Sequence, residues 1–224
     1  MNTVQLNTKI VSEVNQKEFI SKLPALTAAF WVMKIAATTL GETGGDWLSM
    51  TMDAGYLVST LIFFGLFLAS LAAQLISKKH PAYLYWTVIV ATSTAGTTMS
   101  DYMDRTLELG YAKGAALLIT VLVGLLVSWR LSVGNINVDN IKTRKAEIFY
   151  WVTILFSNTL GTALGDFLAD DSGLGFLGSW FLITGLLLFI LALMHFTRVS
   201  RVALFWFAFI LTRPFGATFG DVLT

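Results

Sequence analysis

The sequence predicts an all-α, polytopic membrane protein with seven transmembrane helices, built as four parallel pseudo-equivalent repeats around an axis along the membrane normal. The first observation is composition: 55% of the 224 residues are hydrophobic and only 13% are charged, unlike a soluble domain. The second is the recurrence of apolar stretches close to the ~20 residues that cross a bilayer core as a helix. The third is the motif Trp-x9-Gly-x4-Asp, which occurs four times, each time after an aromatic residue.

Spacing this uniform identifies the chain as an internal repeat. The motifs start 55, 65 and 55 residues apart, so one unit comprises two helices and pairs of units are duplicated. Because each unit has an even number of spans, all four motif helices cross the membrane in the same direction. The copies are Phe30-Trp31…Gly41…Asp46, Tyr85-Trp86…Gly96…Asp101, Tyr150-Trp151…Gly161…Asp166 and Phe205-Trp206…Gly216…Asp221.

Residues 1–23 mix Lys and Glu and lack the continuous apolar core of a signal peptide, so they are predicted to be a cytoplasmic tail. Residues 24–131 then hold repeats one and two, 132–147 form a cytoplasmic linker, and 148–224 hold repeats three and four, the fourth without its second helix. The predicted spans are 25–46, 55–76, 82–102, 111–131, 148–167, 174–196 and 203–221.

The distribution of positive charge predicts the orientation. Most Lys and Arg residues lie on the side of the amino terminus, and the opposite loops hold only Arg105 and Lys113. By the positive-inside rule the amino terminus is cytoplasmic. The aromatic-Trp pairs then lie toward the cytoplasm, as in an interfacial aromatic belt, and each motif Asp lies toward the exterior.

Helical geometry predicts which side chains face the bundle interior. At about 100° per residue, positions 0, 4, 8, 11 and 15 from each Trp share one face, with position 7 alongside. In its outer half this face carries hydroxyls, an amide and carboxylates, which lipid would penalise. The predicted substrate- or ion-binding residues are Glu42, Asp46, Asp101, Asn158, Asp166, Asp221, Thr39, Thr94, Thr97, Thr159 and Thr162. The metal ligands among them are the five carboxylates Glu42, Asp46, Asp101, Asp166 and Asp221.

Two cations break the repeat and are predicted to gate the site or balance its charge. Lys34 lies three residues after the first Trp, and Arg213 lies deep in the fourth motif helix, just before Pro214. A buried Arg requires a carboxylate or carbonyl partner. Both of the chain's histidines, His80 and His195, are expected at interfacial helix ends and not as ligands.

Three stretches resemble a known family: the first motif from Phe30 to Asp46, Gly161-Thr162-Ala163-x-Gly165-Asp166, and Thr212-Arg213-Pro214-x-Gly216-Ala217-Thr218-x-Gly220-Asp221. They resemble a bacterial family of small membrane proteins with four tandem two-helix repeats and a repeated Trp, long catalogued as a repeat of unknown function. The resemblance implies a bacterial cytoplasmic membrane location and the four-unit architecture. Similar proteins generally continue into an eighth helix, whereas this chain stops three residues after Asp221.

Function must therefore be inferred from the residues. All candidate ligands are oxygens, which favours a hard cation, Mn²⁺ or Mg²⁺ above all, and transport of that cation through the four-helix centre. A membrane sensor that binds a ligand without moving it remains the alternative. Another alternative is structural, because an Asp at the end of one helix commonly caps the next.

The absence of Cys excludes thiol chemistry, and the absence of a Ser-His pair or phosphate-binding loop argues against an enzyme. The expected partners are the small cation and the lipid bilayer. No cofactor and no nucleic acid is expected, and homo-oligomerisation is left open.

Overall fold

The computed structural model describes residues 27–77, 81–138, 141 and 143–223. The amino-terminal tail and His80 lie outside the described residues. Within them all regular secondary structure is helical, and no strand is present. The seven helices are α1 (Ala28–Asp46), α2 (Tyr56–Ile76), α3 (Ala82–Asp101), α4 (Tyr111–Val133), α5 (Arg144–Asp166), α6 (Gly175–Phe196) and α7 (Arg201–Leu223).

Each predicted span corresponds to one helix, and α5 differs most at its start. It begins at Arg144, four residues earlier than predicted, because the hydroxyl of Thr143 accepts a hydrogen bond from the backbone N–H of Ala146 at 3.2 Å. Such an N-cap satisfies a donor that the first helical turn leaves free. Residues 144–147, predicted as the end of the linker, therefore belong to α5.

Five of these helices, α2, α4, α5, α6 and α7, are long and apolar enough to cross a membrane. Within the described residues α1 and α3 do not reach that level, because they carry several polar side chains that are buried in the bundle. The chain is therefore described as a multi-pass, membrane-type helical protein. Helices α2, α4 and α6 are the most apolar and the least buried, as expected for a surface in contact with lipid.

The four motif helices form a closed ring. Helix α1 packs on α3, α3 on α5, α5 on α7, and α7 returns to α1. Helices α2, α4 and α6 pack outside the ring, on α3, α5 and α7 respectively. The end of the ring that carries the repeated Trp residues is called the Trp end below, and the opposite end the Asp end.

The motif glycines make the contacts between neighbouring ring helices. A side chain at Gly41 would overlap Ser93, and one at Gly96 would lie 2.9 Å from the backbone nitrogen of Thr159. Gly161 is packed in the same way against Arg213 and Gly216 against Thr38. Each glycine thus contacts position 7 or 8 of the next motif helix around the ring, a close approach that small residues permit.

These contacts turn the ring helices away from the predicted orientation. The predicted inner face was centred on positions 0, 4, 8, 11 and 15, but the positions with the least exposure are 3, 7 and 11. Position 7 is fully buried in all four helices, as Thr38, Ser93, Asn158 and Arg213. The glycine at position 10 must meet the next helix, and this requirement rotates positions 3 and 7 toward the centre.

A π-helical turn follows the Asp of the first three motifs, at Trp47–Thr51, Tyr102–Thr106 and Phe167–Asp171. Two left-handed residues then lead into the outer helix, at positions 22 and 24 after the Trp. Position 24 is glycine each time, as Gly55, Gly110 and Gly175. Position 22 is Asp53 (φ 54°), Glu108 (φ 55°) and Gly173 (φ 76°). Both features recur with the repeat.

Replacing Glu108 by glycine is expected to stabilise the protein by about 1 kcal/mol, because a residue with a Cβ pays roughly that much to adopt left-handed backbone. The third repeat already has glycine at this position. The change should raise the midpoint of thermal unfolding in detergent. Gly110→Ala, two residues later at φ 77°, should lower it, and equal midpoints for the two variants would contradict this account of the turn.

Aromatic side chains fill the Trp end of the ring. Trp151 and Trp206 are almost fully buried, at 1% and 4% exposure, and both belong to the main apolar core. The hydroxyls of Tyr85 and Tyr150 are 2.8 Å apart inside this cluster. For Trp151 and Trp206 the interfacial-belt interpretation is therefore corrected: both are core residues. The aromatic packing closes the ring at this end.

Candidate functional site

A buried ion pair lies in the middle of the ring. Arg213 on α7 and Glu42 on α1 approach to 2.8 Å between Nη2 and Oε2, and their side chains are 0% and 4% exposed. Desolvating two charges is costly, and it is repaid only by close pairing and further hydrogen bonds. Glu42 is therefore the carboxylate partner that a buried Arg213 requires.

Hydroxyls and carbonyls from α1, α3 and α5 complete the surroundings of this pair. Arg213 donates to the carbonyl of Thr38 at 2.8 Å and to that of Ser93 at 3.1 Å. It also donates to the hydroxyls of Thr97 and, at 3.0 Å, Thr162. The hydroxyl of Thr97 in turn donates to Glu42 at 2.9 Å. The predicted residues Glu42, Thr97, Thr162 and Arg213 therefore form one hydrogen-bonded network.

A second buried cation lies closer to the Trp end. Lys34 donates from Nζ to Oδ1 of Asn158 at 3.2 Å, and its ammonium lies 4.2 Å from the centre of the Phe209 ring. The amide nitrogen of Asn158 donates to the hydroxyls of Thr92 and Ser93 at 3.1 and 3.4 Å. Both Lys34 and Asn158 are fully buried. An amide and an aromatic face are the contacts that surround this ammonium.

Carboxylates gather at the Asp end. Glu42 and Asp46 of α1 and Asp221 of α7 each have an oxygen within 4.8 Å of the others, which is close enough for one ion to bind all three. Glu42 is buried, and the two aspartates are half-buried. Three negative groups this close repel one another unless protons or a cation lie between them. This arrangement, the acid cluster, can chemically hold a hard cation.

The other two motif aspartates lie on the neighbouring helices and share Arg105. Its Nε is 3.3 Å from Asp101, and its Nη2 is 3.7 Å from Asp166. Arg105 was absent from the predicted site, where it appeared only as an outer-loop residue. Its spacing of four residues from Asp101 was the available signal, because residues four apart on a helix are neighbours. Its reach to Asp166 on α5 had no such signal.

The threonines at position 8 lie away from both groups of carboxylates. Thr94 and Thr159 donate to carbonyls of their own helices, at Val90 and Leu155, over 3.0 Å each. Thr39 donates to the carbonyl of Gly216 on α7 at 3.1 Å. All three lie in contacts between ring helices, which is where the rotation of the ring helices puts position 8.

The helix-capping interpretation of the motif aspartates does not fit the structure. Helices α2 and α4 begin after Gly55 and Gly110, and no side chain caps either of them. Helix α6 likewise begins after Leu174 without a side-chain cap. The motif aspartates instead lie at or near the last residue of each ring helix. Their carboxylates form two groups, the acid cluster and the pair bound to Arg105.

Asp104 lies beside this region, in the π turn after α3. Burial raises the pKa of its carboxyl to about 6, and the hydrogen bond that Ser100 donates to it at 3.3 Å, together with Arg105, limits the rise. Asp104 packs directly over Gly114 at the start of α4, where a Cβ would collide with the carboxylate. This contact fixes the turn that carries Arg105.

Comparison with known proteins finds one family. Residues 29–80, 84–135 and 149–200 match, one after another, the model described as Repeat of Unknown Function (DUF347). The matched segments cover more than half of the chain and coincide with the first three units of the predicted repeat. The fourth motif lies beyond the third matched segment. No curated protein and no solved structure matches the chain.

Proposed function

The chain therefore belongs to this repeat family of unknown function, and we propose that it is an integral membrane transporter of a small cation, with Mn²⁺ and Mg²⁺ as the favoured cargo. The observation that carries the proposal is the acid cluster, in which Glu42, Asp46 and Asp221 each place an oxygen within 4.8 Å of the others. All three donors are carboxylates, the ligands that hard divalent cations prefer. Proton release from such a cluster would couple cation binding to pH.

In the proposed topology all seven helices cross the bacterial cytoplasmic membrane, with four pseudo-equivalent units around an axis along its normal. The ring contacts of the four motif glycines support the four-unit arrangement. The amino terminus lies in the cytoplasm, as the positive-inside rule favours. The Asp end then faces the exterior, and the aromatic cluster closes the cytoplasmic end. Transport requires the aromatic residues at the Trp end to move apart.

One observation favours the alternative, a membrane sensor that binds the cation without moving it. Arg213 and Lys34 are both fully buried within the ring, on the Trp side of the acid cluster. A cation that travels from the cluster toward the Trp end would meet the guanidinium of Arg213, which repels it strongly in a medium of low polarity. In neither account is the protein an enzyme.

The test measures Mn²⁺ uptake into sealed vesicles that contain the purified protein. Asp46→Asn with Asp221→Asn keeps the size of both side chains and removes two charges from the acid cluster, so we expect the uptake rate to fall at least about tenfold. Asp53→Asn is the matched control, because Asp53 is exposed and lies outside the cluster. It should transport like the unchanged protein.

Three outcomes separate the two functions. Uptake that is lost with the double variant and kept with the control supports transport. Saturable Mn²⁺ binding by the purified protein without uptake would favour the sensor over the transporter. Neither binding nor uptake of Mn²⁺ or Mg²⁺ would refute the divalent-cation proposal.

A further inference from the structure

The two halves of the Asp end differ in how their charge is balanced. On the side of α1 and α7, Asp46 and Asp221 converge with Glu42 into the acid cluster. On the side of α3 and α5, Asp101 and Asp166 converge on the guanidinium of Arg105. Among the described residues, the acid cluster has one ion pair, that of Glu42 with Arg213, and its two aspartates have none, whereas both aspartates on the other side pair with Arg105.

The cation comes from a position at which the first three repeats differ. Arg105 is the nineteenth residue after Trp86, and the equivalent residues of the first and third repeats are Met50 and Asp170. Among the first three repeats, the second is therefore the one that has a positive charge at this position. One residue of the π turn thus supplies the charge that pairs with Asp101 and Asp166.

Arg105 is held from outside the ring by two tyrosines. Its Nη1 donates to the hydroxyl of Tyr56 at 3.1 Å, and its guanidinium carbon lies 5.8 Å from the ring centres of both Tyr56 and Tyr111. Its side chain is nevertheless 35% exposed. The two tyrosines thus hold the guanidinium in place, and it remains partly exposed to solvent.

The carboxylates that pair with Arg105 are more deeply buried than Arg105 itself. The side chains of Asp101 and Asp166 are 3% and 8% exposed. Among the described residues, Oδ2 of Asp166 has no hydrogen-bond partner, and its ion pair with Arg105 spans 3.7 Å. A buried carboxylate oxygen without a hydrogen bond is costly, and a directly bound cation would satisfy it.

We propose that Arg105 is a built-in cation that fills a second carboxylate site, formed by Asp101 and Asp166, and so restricts the free cation to Glu42, Asp46 and Asp221. The proposal rests on the function proposed above and adds a residue that sets how many ions bind and where. Without Arg105, the Asp101–Asp166 pair becomes a site for a free divalent cation. Arg105 is a positioning residue, because it acts on the cargo through charge and occupancy.

The experiment counts Mn²⁺ ions bound to the full-length protein in detergent, by titration with Mn²⁺ alone. Arg105→Gln should bind one ion more than the unchanged protein, and its affinity at the acid cluster should rise up to about tenfold because a nearby positive charge is gone. Arg105→Lys keeps the charge and should bind the original number. Adding Asp101→Asn and Asp166→Asn to Arg105→Gln should remove the extra ion.

A second arm leaves Arg105 in place. Asp166→Asn alone should preserve the number of bound ions, since the Asp101–Asp166 pair holds no free cation in the unchanged protein. Asp221→Asn should lose the ion bound at the acid cluster. Loss of binding in Asp166→Asn would overturn the proposal, and this arm decides it even where Arg105→Gln does not fold.

The outcomes also separate this inference from the proposed function. If the unchanged protein binds no Mn²⁺ and Arg105→Gln binds one ion that is lost when Asp101→Asn and Asp166→Asn are added, the acid cluster is not the cation site, and the role of Arg105 stands. Equal binding by the unchanged protein and a folded Arg105→Gln overturns the inference and leaves the proposed function intact. Absence of binding in both overturns both.

Discussion

Replacing Glu42 by glutamine should lower the free energy of unfolding by about 3–5 kcal/mol, the cost of removing one partner of a buried ion pair. The guanidinium of Arg213 is fully buried and 2.8 Å from the Glu42 carboxylate. Arg cannot lose its proton in a protein, so without Glu42 a charge remains in a medium that disfavours it. The measurement is thermal or denaturant-induced unfolding of the purified protein in detergent.

The partner substitution of Glu42→Gln is Arg213→Met, which removes the cation of the pair and leaves the carboxyl group. Arg213→Met should cost less, because the carboxyl of Glu42 can bind a proton and become neutral. The double variant should be more stable than Glu42→Gln alone, because the unpaired guanidinium is gone. Glu108→Gln is the matched control, since Glu108 is exposed. If Glu42→Gln and Glu108→Gln unfold alike, the ion pair does not stabilise the ring.

Gly41→Ala is expected to destabilise the protein by about 1–3 kcal/mol, the usual cost of overpacking a close contact. A Cβ at this position would overlap the Cβ of Ser93 and lie 3.0 Å from the backbone nitrogen of Thr94. Because part of this obstacle is backbone, α1 and α3 must separate to accommodate it. The same separation would move Thr97 away from Glu42 and should therefore also weaken cation binding.

Gly124→Ala in α4 is the matched control for this prediction. Nothing lies within 4 Å of a Cβ built at Gly124. Alanine favours helix over glycine by up to about 1 kcal/mol, so the control should be neutral or stabilising. Two equal losses of stability would mean that the glycine contact between α1 and α3 does not limit packing.

The sequence alone predicted the seven helices and their repeat-like packing, because its signals are local and repeated. Four copies of one motif specify equivalent helices, and apolar runs predict most of the helix ends, although a Thr143 cap sets the start of α5. Glu42, Asp46 and Asp221 were identified from the same repeat and do meet in the structure. Asp46 and Asp221 share position 15 of parallel helices and therefore lie at similar depth, and Glu42 lies one helical turn before Asp46 on the same helix.

The orientation of each ring helix was decided only by tertiary packing. Helical periodicity limits the inner face to a group of neighbouring positions, and several of these groups contain polar residues. Steric contact chose among them, because the glycine at position 10 has to meet the next helix. Positions 3 and 7 consequently replace positions 0, 4 and 8 at the centre, and Thr94 and Thr159 lie between helices.

The pairing of charges was also beyond the sequence. Arg213 and Glu42 are 171 residues apart, and Arg105 contacts Asp166 across two ring helices. The sequence shows that a buried Arg needs an acid and supplies several candidates at similar depth. Which acid pairs with each Arg depends on distances of a few ångströms. The closed ring sets those distances by bringing α7 against α1 and α3 against α5.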